Sequence, residues 1–155
     1  MTKIFISGGP GSGKTTYAKK LSAEMNIPHF DLDNIKWEHG SFNRERPKEE
    51  RLKLRDKILS ENDSWIIEGV YFKDWIIPIL KQSDRIIILN PSTTVRQWRV
   101  IKRFIKNKFN PKNKASKENI ITLFWLLIWS RNYNKHINEL LEKIEQVGKK
   151  AEFIK

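Results

Sequence analysis

The chain has 155 residues, no cysteine, and 30 Lys and Arg against 18 Asp and Glu, a formal net charge of +12. This length predicts one domain over residues 1–155, and the lack of cysteine excludes disulfides and thiolate metal sites and favours a cytoplasmic location. The chain starts Met-Thr-Lys and enters an apolar strand at once, so we expect no secretion signal. The basic surplus is typical of a nucleic-acid partner or of an anion-binding site with a basic surface, and we favour the second.

The glycine-rich stretch after the apolar run Ile4-Phe5-Ile6 carries the clearest motif. It reads Gly8-Gly9-Pro10-Gly11-Ser12-Gly13-Lys14-Thr15-Thr16 and leads into a segment with helical periodicity. The pattern G-x-x-x-x-G-K-[ST] between a strand and a helix is typical of a phosphate-binding loop, because glycines let the backbone N–H groups point inward around a polyphosphate. In such a loop Lys14 supplies a mobile cation for the outer phosphates, and the Thr15 hydroxyl is a ligand of the bridging Mg²⁺.

Two carboxylates follow a predicted helix over residues 13–25 and a short strand near residues 28–30. Asp31 and Asp33 are one residue apart, so both side chains point the same way at the end of a strand. Ligands of a parallel sheet bind beyond the carboxyl ends of its strands, where these acids would meet the phosphate loop. We expect Asp33 to orient an acceptor hydroxyl, take its proton or hold a Mg²⁺ water. For Asp31 the sequence is equally consistent with a functional role and with a cap of the next segment.

The predicted acceptor side covers about residues 34–62, with a loop that extends to Pro47 and a helix that begins there. Trp37 in this loop either stacks on an acceptor ring or anchors the loop in the core, and His39 has no evident metal partner. Four arginines lie in this segment, and we expect one of them to clamp an acceptor phosphate; they are Arg44, Arg46, Arg51 and Arg55.

A continuous apolar run, Trp65 to Tyr71, predicts a strand buried on both faces, as in a parallel sheet. Glu68 near its end would be costly to bury unless a cation meets it, and Mg²⁺ with its waters is the obvious candidate. A helix is predicted over residues 74–80, with Pro78 expected to kink it or end it, followed by a further buried strand over residues 85–89.

The next predicted helix follows Asn90-Pro91-Ser92-Thr93 and carries two stripes. We expect Val95, Trp98, Ile101 and Ile105 to face the core, with Arg96, Arg99, Arg103 and Lys106 as a basic stripe beside them. Cations along a helix near a phosphate loop can neutralise the charge of a transferring phosphoryl group, and we favour this role for Arg99 and Arg103. A solvated or nucleic-acid-facing surface is the alternative.

Residues 106–117 are rich in Lys and Asn and lack apolar periodicity, so they predict a loop that serves as a lid. Ser116 then caps a long helix that continues to Val147. Its first part, Ile120 to Trp129, is apolar nearly all round and too short to span a bilayer, which favours a buried helix or a dimer surface. Arg131 follows and is a candidate contact to the nucleotide, and residues 151–154 predict a last strand.

Alternating strands and helices predict a three-layer α/β domain around a parallel sheet. The set of motifs resembles the adenylate-kinase-like P-loop kinases, and most closely the subgroup known as DNA topology modulation or FlaR-related proteins. The resemblance rests on Gly8 to Thr16, Asp31-Leu32-Asp33, Trp65 to Tyr71, Leu89-Asn90-Pro91 with Arg99 and Arg103, and Trp125 to Trp129.

The resemblance implies a five-stranded parallel core with a small lid over about residues 104–118. ATP would then be held by Gly8 to Thr16, and Arg99 would be the first lid arginine with Arg103 one turn later. Glu68 falls where nucleoside monophosphate kinases place an Asp that positions Mg²⁺ waters.

We therefore predict a Mg²⁺-ATP-dependent phosphotransferase that acts on a small acceptor. We expect a monomer or homodimer that does not associate with a membrane. Lys14, Arg99 and Arg103 would stabilise the phosphoryl charge, and Thr15 and Glu68 would hold the metal. The alternative is a basic DNA-binding protein that uses ATP as a switch, although the sequence has no helix-turn-helix, zinc-finger or RNP signature.

Overall fold

The computed structural model describes residues 1–38, 44–109 and 120–155. The strands are β1 (Lys3–Gly8), β2 (His29–Asp31), β3 (Trp65–Glu68), β4 (Arg85–Leu89) and β5 (Ala151–Ile154). The helices are α1 (Lys14–Met25), α2 (Leu32–Lys36), α3 (Lys48–Glu61), α4 (Ile77–Gln82), α5 (Thr93–Lys108) and α6 (Ile120–Gln146), with a 3₁₀ turn over Asp74–Ile76 before α4.

The five strands form one sheet in the order β2-β3-β1-β4-β5, and every neighbouring pair is parallel. Side chains alternate between the two faces of the sheet, so β1 contributes to two cores. Phe5 packs with residues of α3, α4 and α6, whereas Ile4 and Ile6 pack with Ala18 of α1 on the other face. The predicted five-stranded, three-layer α/β fold is confirmed.

Several predicted boundaries change in the structure. The apolar run that begins at Trp65 is a strand only to Glu68, after which the chain leaves the sheet. Pro78 lies in the first turn of α4, where its missing N–H has no helical partner to lose, so it does not end the helix. α5 continues to Lys108, so the first residues predicted as a loop are helical. The described residues do not include His39, the Ser116 cap or most of the predicted lid.

The predicted core face of α5 is wrong. Val95, Trp98 and Ile105 are exposed, whereas Arg96 is fully buried and Val100 is 1% exposed. A buried guanidinium is tolerated when its donors are all directed at acceptors. Arg96 meets that condition at the junction of α5 with α6, so tertiary hydrogen bonds override the hydrophobic pattern.

The apolar start of α6 is not buried either. Ile120, Phe124 and Trp125 are 72%, 64% and 64% exposed, which contradicts the buried-helix alternative and leaves the dimer surface as a prediction. Across the described ranges, no helix combines the length and the apolar character needed to cross a bilayer.

Candidate active site

The loop between β1 and α1 has the backbone conformation that its glycines permit. Gly11 and Gly13 adopt positive φ angles of 77° and 94°. A Cβ at Gly11 would lie 2.2 Å from the Arg96 carbonyl oxygen of α5, and a Cβ at Gly9 would lie 2.8 Å from Cγ of Tyr133 on α6. Two helices therefore pack directly on the loop, and larger residues would push them away.

Arg99 of α5 reaches the loop from the other side. Its Nη1 donates a hydrogen bond to the Ser12 carbonyl oxygen at 3.0 Å and lies 3.5 Å from the position of a Cβ at Gly13. Arg103 lies one turn further along α5 and is exposed. The structure thus brings the first of the two predicted lid arginines against the loop, and the role of Arg103 stays a prediction.

Beside Arg99 the loop borders a cavity of about 450 Å³. Its lining includes Ser12, Gly13, Thr16, Tyr17, Arg99 and Lys155. The cavity lies between α1, α5 and the end of β5, which is next to the first turn of the helix that follows the loop. A molecule that projects from a phosphate group in the loop has room here.

Glu68 ends β3 beside the loop and is fully buried. Its Oε2 lies 3.9 Å from Nζ of Lys14, and its Oε1 lies 3.7 Å from Nε2 of His29. Within the described part of the chain, neither carboxylate oxygen accepts a hydrogen bond. Burial raises the pKa of Glu68, whereas the charge of Lys14 and the neighbouring Thr15 hydroxyl oppose that rise. An underpaired buried carboxylate of this kind favours a cationic partner.

Asp31 pairs with Glu68 across β2 and β3 and serves mainly as a cap. Its Oδ1 accepts a hydrogen bond from the backbone N–H of Asp33 at 2.8 Å, which starts α2. Burial raises the pKa of Asp31. Of the two roles that the sequence allowed for this residue, the structure supports the cap.

Asp33 accepts a hydrogen bond at Oδ1 from the hydroxyl of Tyr71, which follows β3. Burial and the charge of Asp33 raise the pKa of Tyr71, so its hydroxyl stays protonated and fixes the carboxylate. The role of Tyr71 was not predicted, because a tyrosine at the end of an apolar run is typical of a core residue. The pairing of Tyr71 with Asp33 could be recognised only once the two residues were seen in contact.

The predicted metal ligands converge at one place. Mg²⁺ is held in phosphate-binding sites by one or two protein oxygens together with phosphates and waters. Thr15 and the underpaired Glu68 fit that requirement. The described residues contain no group of three His, Cys, Asp or Glu side chains that could hold a metal alone. A metal here would therefore depend on the phosphates of a bound nucleotide.

The other candidate residues are exposed or contact other parts of the chain. The α6 side chain that packs on the loop is Tyr133, whereas Arg131 is exposed and its contact with the nucleotide stays a prediction. Trp37 ends α2, with Nζ of Lys36 4.7 Å from its ring centroid. The four acceptor-side arginines, Arg44, Arg46, Arg51 and Arg55, all contact other groups of the chain.

Replacing Glu68 with Gln is expected to stabilise the nucleotide-free protein while lowering its turnover. The pKa of Glu68 is raised in the fold, so the ionised carboxylate destabilises the folded state above that pKa, and the penalty disappears below the unfolded pKa. We expect a gain of about 1 kcal/mol at neutral pH, or roughly 2–4 °C in Tm, that vanishes in acid. Thermal melts at several pH values measure this. The exposed Glu61→Gln is the control, and equal melting at neutral pH would contradict the prediction.

Comparison with known proteins supports the fold and a kinase relationship. Residues 2–57 match the family model described as Zeta toxin. Uncharacterized protein YqaC of Bacillus subtilis is 38% identical over 66 residues, which are 43% of this chain and 36% of that protein. Shikimate kinase of Bacteroides fragilis is 52% identical over 33 residues, which are 21% of this chain and 18% of that enzyme. The matched regions thus span about a third or less of these relatives (36% and 18%).

Among solved structures, shikimate kinase from Acinetobacter baumannii in complex with shikimate aligns with a TM-score of 0.58 and 17% identity, over 100% of this chain and 84% of that one. Shikimate kinase from Bacteroides thetaiotaomicron aligns with a TM-score of 0.51 and 19% identity, over 94% of this chain and 93% of that one. The resemblance to the DNA topology modulation subgroup stays a prediction. The chain has the adenylate-kinase-like P-loop fold that shikimate kinases share, and its similarities support a P-loop kinase family.

Proposed function

We propose that the protein is a Mg²⁺-ATP-dependent phosphotransferase that acts on a hydroxyl group of a small acceptor. The observation that carries this proposal is the convergence of Lys14, Thr15, Asp33 and the underpaired Glu68 at the carboxyl end of one parallel sheet. That edge is where α/β proteins bind ligands. The similarity to Zeta toxin and shikimate kinases supports a kinase in general and leaves the acceptor open.

In the proposed reaction the acceptor oxygen forms a bond to the γ-phosphorus of ATP, and the bond between that phosphorus and the β–γ bridging oxygen breaks. ADP leaves with the bridging oxygen, and the hydroxyl proton passes to Asp33 and then to solvent. Lys14 and Arg99 stabilise the charge on the transferring group, with Arg103 and Arg131 as further candidate contacts. When bound, Mg²⁺ would neutralise phosphate charge, with Thr15 as ligand and Glu68 orienting its waters.

The cavity beside Arg99 supports a position for the nucleoside of ATP, because it begins at Ser12 and Gly13 of the loop. The acceptor then belongs on the opposite side, next to Asp33 and Tyr71. We propose that residues 1–155 form a single domain. In it, the acceptor-side segment covers about residues 34–62 and the lid covers about residues 104–118.

Asp33→Asn tests the proposal through the proton acceptor. We expect kcat to fall about 10²–10⁴-fold, because an amide cannot take the hydroxyl proton, while the affinity for Mg²⁺-ATP changes little. The measurement is acceptor-dependent ADP release, with nucleoside monophosphates, nucleosides and small hydroxy metabolites as acceptors. Asp63→Asn, exposed before β3, is the matched control.

Unchanged kcat in Asp33→Asn would remove Asp33 from the mechanism. ADP release stimulated by duplex DNA alone, with strong salt dependence, would contradict a small acceptor and favour action on nucleic acid.

A further inference from the structure

Helices α5 and α6 hold most of the net charge of the chain. Residues 93–138 contain 11 Lys and Arg and one acid, Glu118, so they contribute +10 of the formal net charge of +12. Arg96 is buried, and the proposed function assigns three further arginines to the nucleotide. The other cations that the structure describes here are exposed lysines; they are Lys102, Lys106, Lys108 and Lys135. The two helices therefore present a cationic surface that favours a polyanionic partner.

The same helices expose most of the large apolar side chains found at the surface. Of the twelve exposed large hydrophobic residues in the described ranges, nine lie on α5, directly after it, or on the first part of α6. They are Val95, Trp98, Ile105, Phe109, Ile120, Ile121, Phe124, Trp125 and Trp129. Such a concentration of exposed apolar side chains is typical of an interaction site.

The exposed apolar residues form a stripe on the outer face of each helix. Trp98, Ile105 and Phe109 follow one another at seven and four residues, which places them on one face of α5. Lys102 lies four residues after Trp98 and three before Ile105, so a cation lies within this stripe. On α6 the matching stripe consists of Ile121, Phe124 and Trp125.

The rest of the fold covers little of these two stretches. α5 and α6 are in contact, and Arg96 joins them near the start of α5 through the Ser130 carbonyl oxygen. Beyond that junction, residues 97–109 and 120–129 contain one buried residue, Val100. We call the exposed lysines and the two apolar stripes of these stretches, together with Lys135, the α5–α6 face.

Three kinds of partner would cover this face, and its composition favours one of them. A second copy would bring two lysine-rich surfaces together, which like charges oppose. Nucleic acid would use the lysines and tryptophans, but isoleucine cannot stack on a base, and Ile105, Ile120 and Ile121 are 49%, 72% and 62% exposed. A lipid surface takes up aliphatic and aromatic side chains alike, and its anionic headgroups attract lysines.

We propose that the α5–α6 face binds the surface of a membrane that contains anionic lipids. The apolar stripes enter the boundary between headgroups and acyl chains, and the exposed lysines contact the headgroups. Such binding needs no spanning segment, so it is compatible with the lack of a bilayer-crossing helix in the described ranges. It replaces the expectation from the sequence that the protein does not associate with a membrane, and it does not depend on the proposed function.

Flotation of the full chain with vesicles, without nucleotide, tests the proposal. One set of vesicles is equimolar phosphatidylglycerol and phosphatidylcholine, and the other is phosphatidylcholine alone. We expect binding to the anionic vesicles to be at least about tenfold tighter. Lipids brominated along their acyl chains should also quench the tryptophan fluorescence of the bound protein, because Trp98 and Trp125 lie in the stripes that enter the lipid.

The apolar stripe is tested by Ile121→Ser combined with Phe124→Ser. Because both side chains would be buried in lipid, we expect binding to weaken at least about tenfold and the quenching to decrease. Met25→Ser combined with Phe153→Ser removes two exposed apolar side chains elsewhere and should leave binding unchanged.

The lysines are tested by the triple variant Lys102→Ser, Lys106→Ser and Lys135→Ser. We expect binding to anionic vesicles to weaken at least about tenfold, because these cations would lie next to the headgroups. The control removes the same net charge from exposed positions on other parts of the chain; it combines Lys53→Ser, Lys81→Ser and Lys150→Ser. Thermal melts establish that each variant is folded, and if one set fails to fold, the other set and the quenching of the wild type decide.

Several outcomes would overturn the proposal. They are equal binding to both kinds of vesicle, no binding to either, binding without quenching, and an equal loss in the lysine variant and its control. A dimer that Ile121→Ser with Phe124→Ser converts to monomer, without vesicle binding, would assign the face to a second copy. Tight binding of oligothymidylate, without vesicle binding, would assign it to nucleic acid.

Discussion

Lys14→Ala is expected to abolish phosphoryl transfer while the fold stays intact. Lys14 begins α1 directly after the loop, and its side chain is 16% exposed with Nζ near Glu68. It is the only lysine of the loop motif, so no neighbouring loop residue can replace its charge at the transferring phosphate. We expect kcat to fall by about 10³-fold or more, as for removal of a strong electrostatic donor.

The measurement is ADP release with the best acceptor of the panel, together with circular dichroism and a thermal melt. Lys19→Ala is the matched control, since Lys19 is exposed on the same helix. Near-normal turnover in Lys14→Ala would remove the loop from the mechanism. Loss of the circular-dichroism signal would mean that Lys14 is needed for folding, and the kinetic result would then have no bearing on catalysis.

Arg96→Met is expected to destabilise the protein by about 3–5 kcal/mol. The fully buried guanidinium donates through Nη1 to the Pro91 carbonyl oxygen at 3.0 Å and through Nη2 to the Ser130 carbonyl oxygen at 2.9 Å. It also bonds Asn90, Thr93 and Asn134 and lies 5.4 Å from the centroid of the Tyr133 ring. A methionine fills similar volume but leaves these acceptors buried without donors.

Chemical denaturation measures the loss, and Lys102→Met, exposed on the same helix, should change stability by less than about 0.5 kcal/mol. Arg96→Lys should recover only part of the lost stability, because an ammonium group cannot reach acceptors on two sides at once. Because the Arg96 carbonyl packs against Gly11, the Met variant should also bind Mg²⁺-ATP more weakly. Stability equal to wild type would mean that water or a side-chain shift satisfies the freed acceptors.

The local sequence pattern was enough to predict most strands of the sheet and the phosphate-binding loop. A buried parallel strand needs a continuous apolar run, and a phosphate loop needs glycines and a Lys-Thr pair at fixed spacing, so both can be recognised from residues close in sequence. The runs at β1 and β4 and the helix after the loop were placed correctly, and β3 begins where its run predicts but ends three residues earlier. The positive φ angles of Gly11 and Gly13 agree with the motif. The acids at the ends of β2 and β3 were predicted to lie at the site because ligands of a parallel sheet bind beyond the carboxyl ends of its strands.

What the pattern could not decide was set by contacts between residues far apart in sequence. Periodicity assigned Trp98 to the core and Arg96 to the surface. Arg96 is buried because acceptors on α6, 34 or more residues away, add to the nearby acceptors at its own end of the helix. Tyr71 acquires its role only from Asp33, 38 residues earlier. Arg46 and Arg55 are candidate acceptor contacts by sequence, whereas in the structure they donate to the carbonyl oxygens of Ile35 and Trp75.

The sequence by itself therefore determined the sheet, the phosphate loop and the position of the acids, because each of these depends on residue types at short, fixed spacing. Only the tertiary structure decided which charged side chains hydrogen-bond within the fold and which are buried with too few partners. Hydrogen bonds across elements can bury an arginine and expose a tryptophan, and their free energy depends on partners that no local pattern contains.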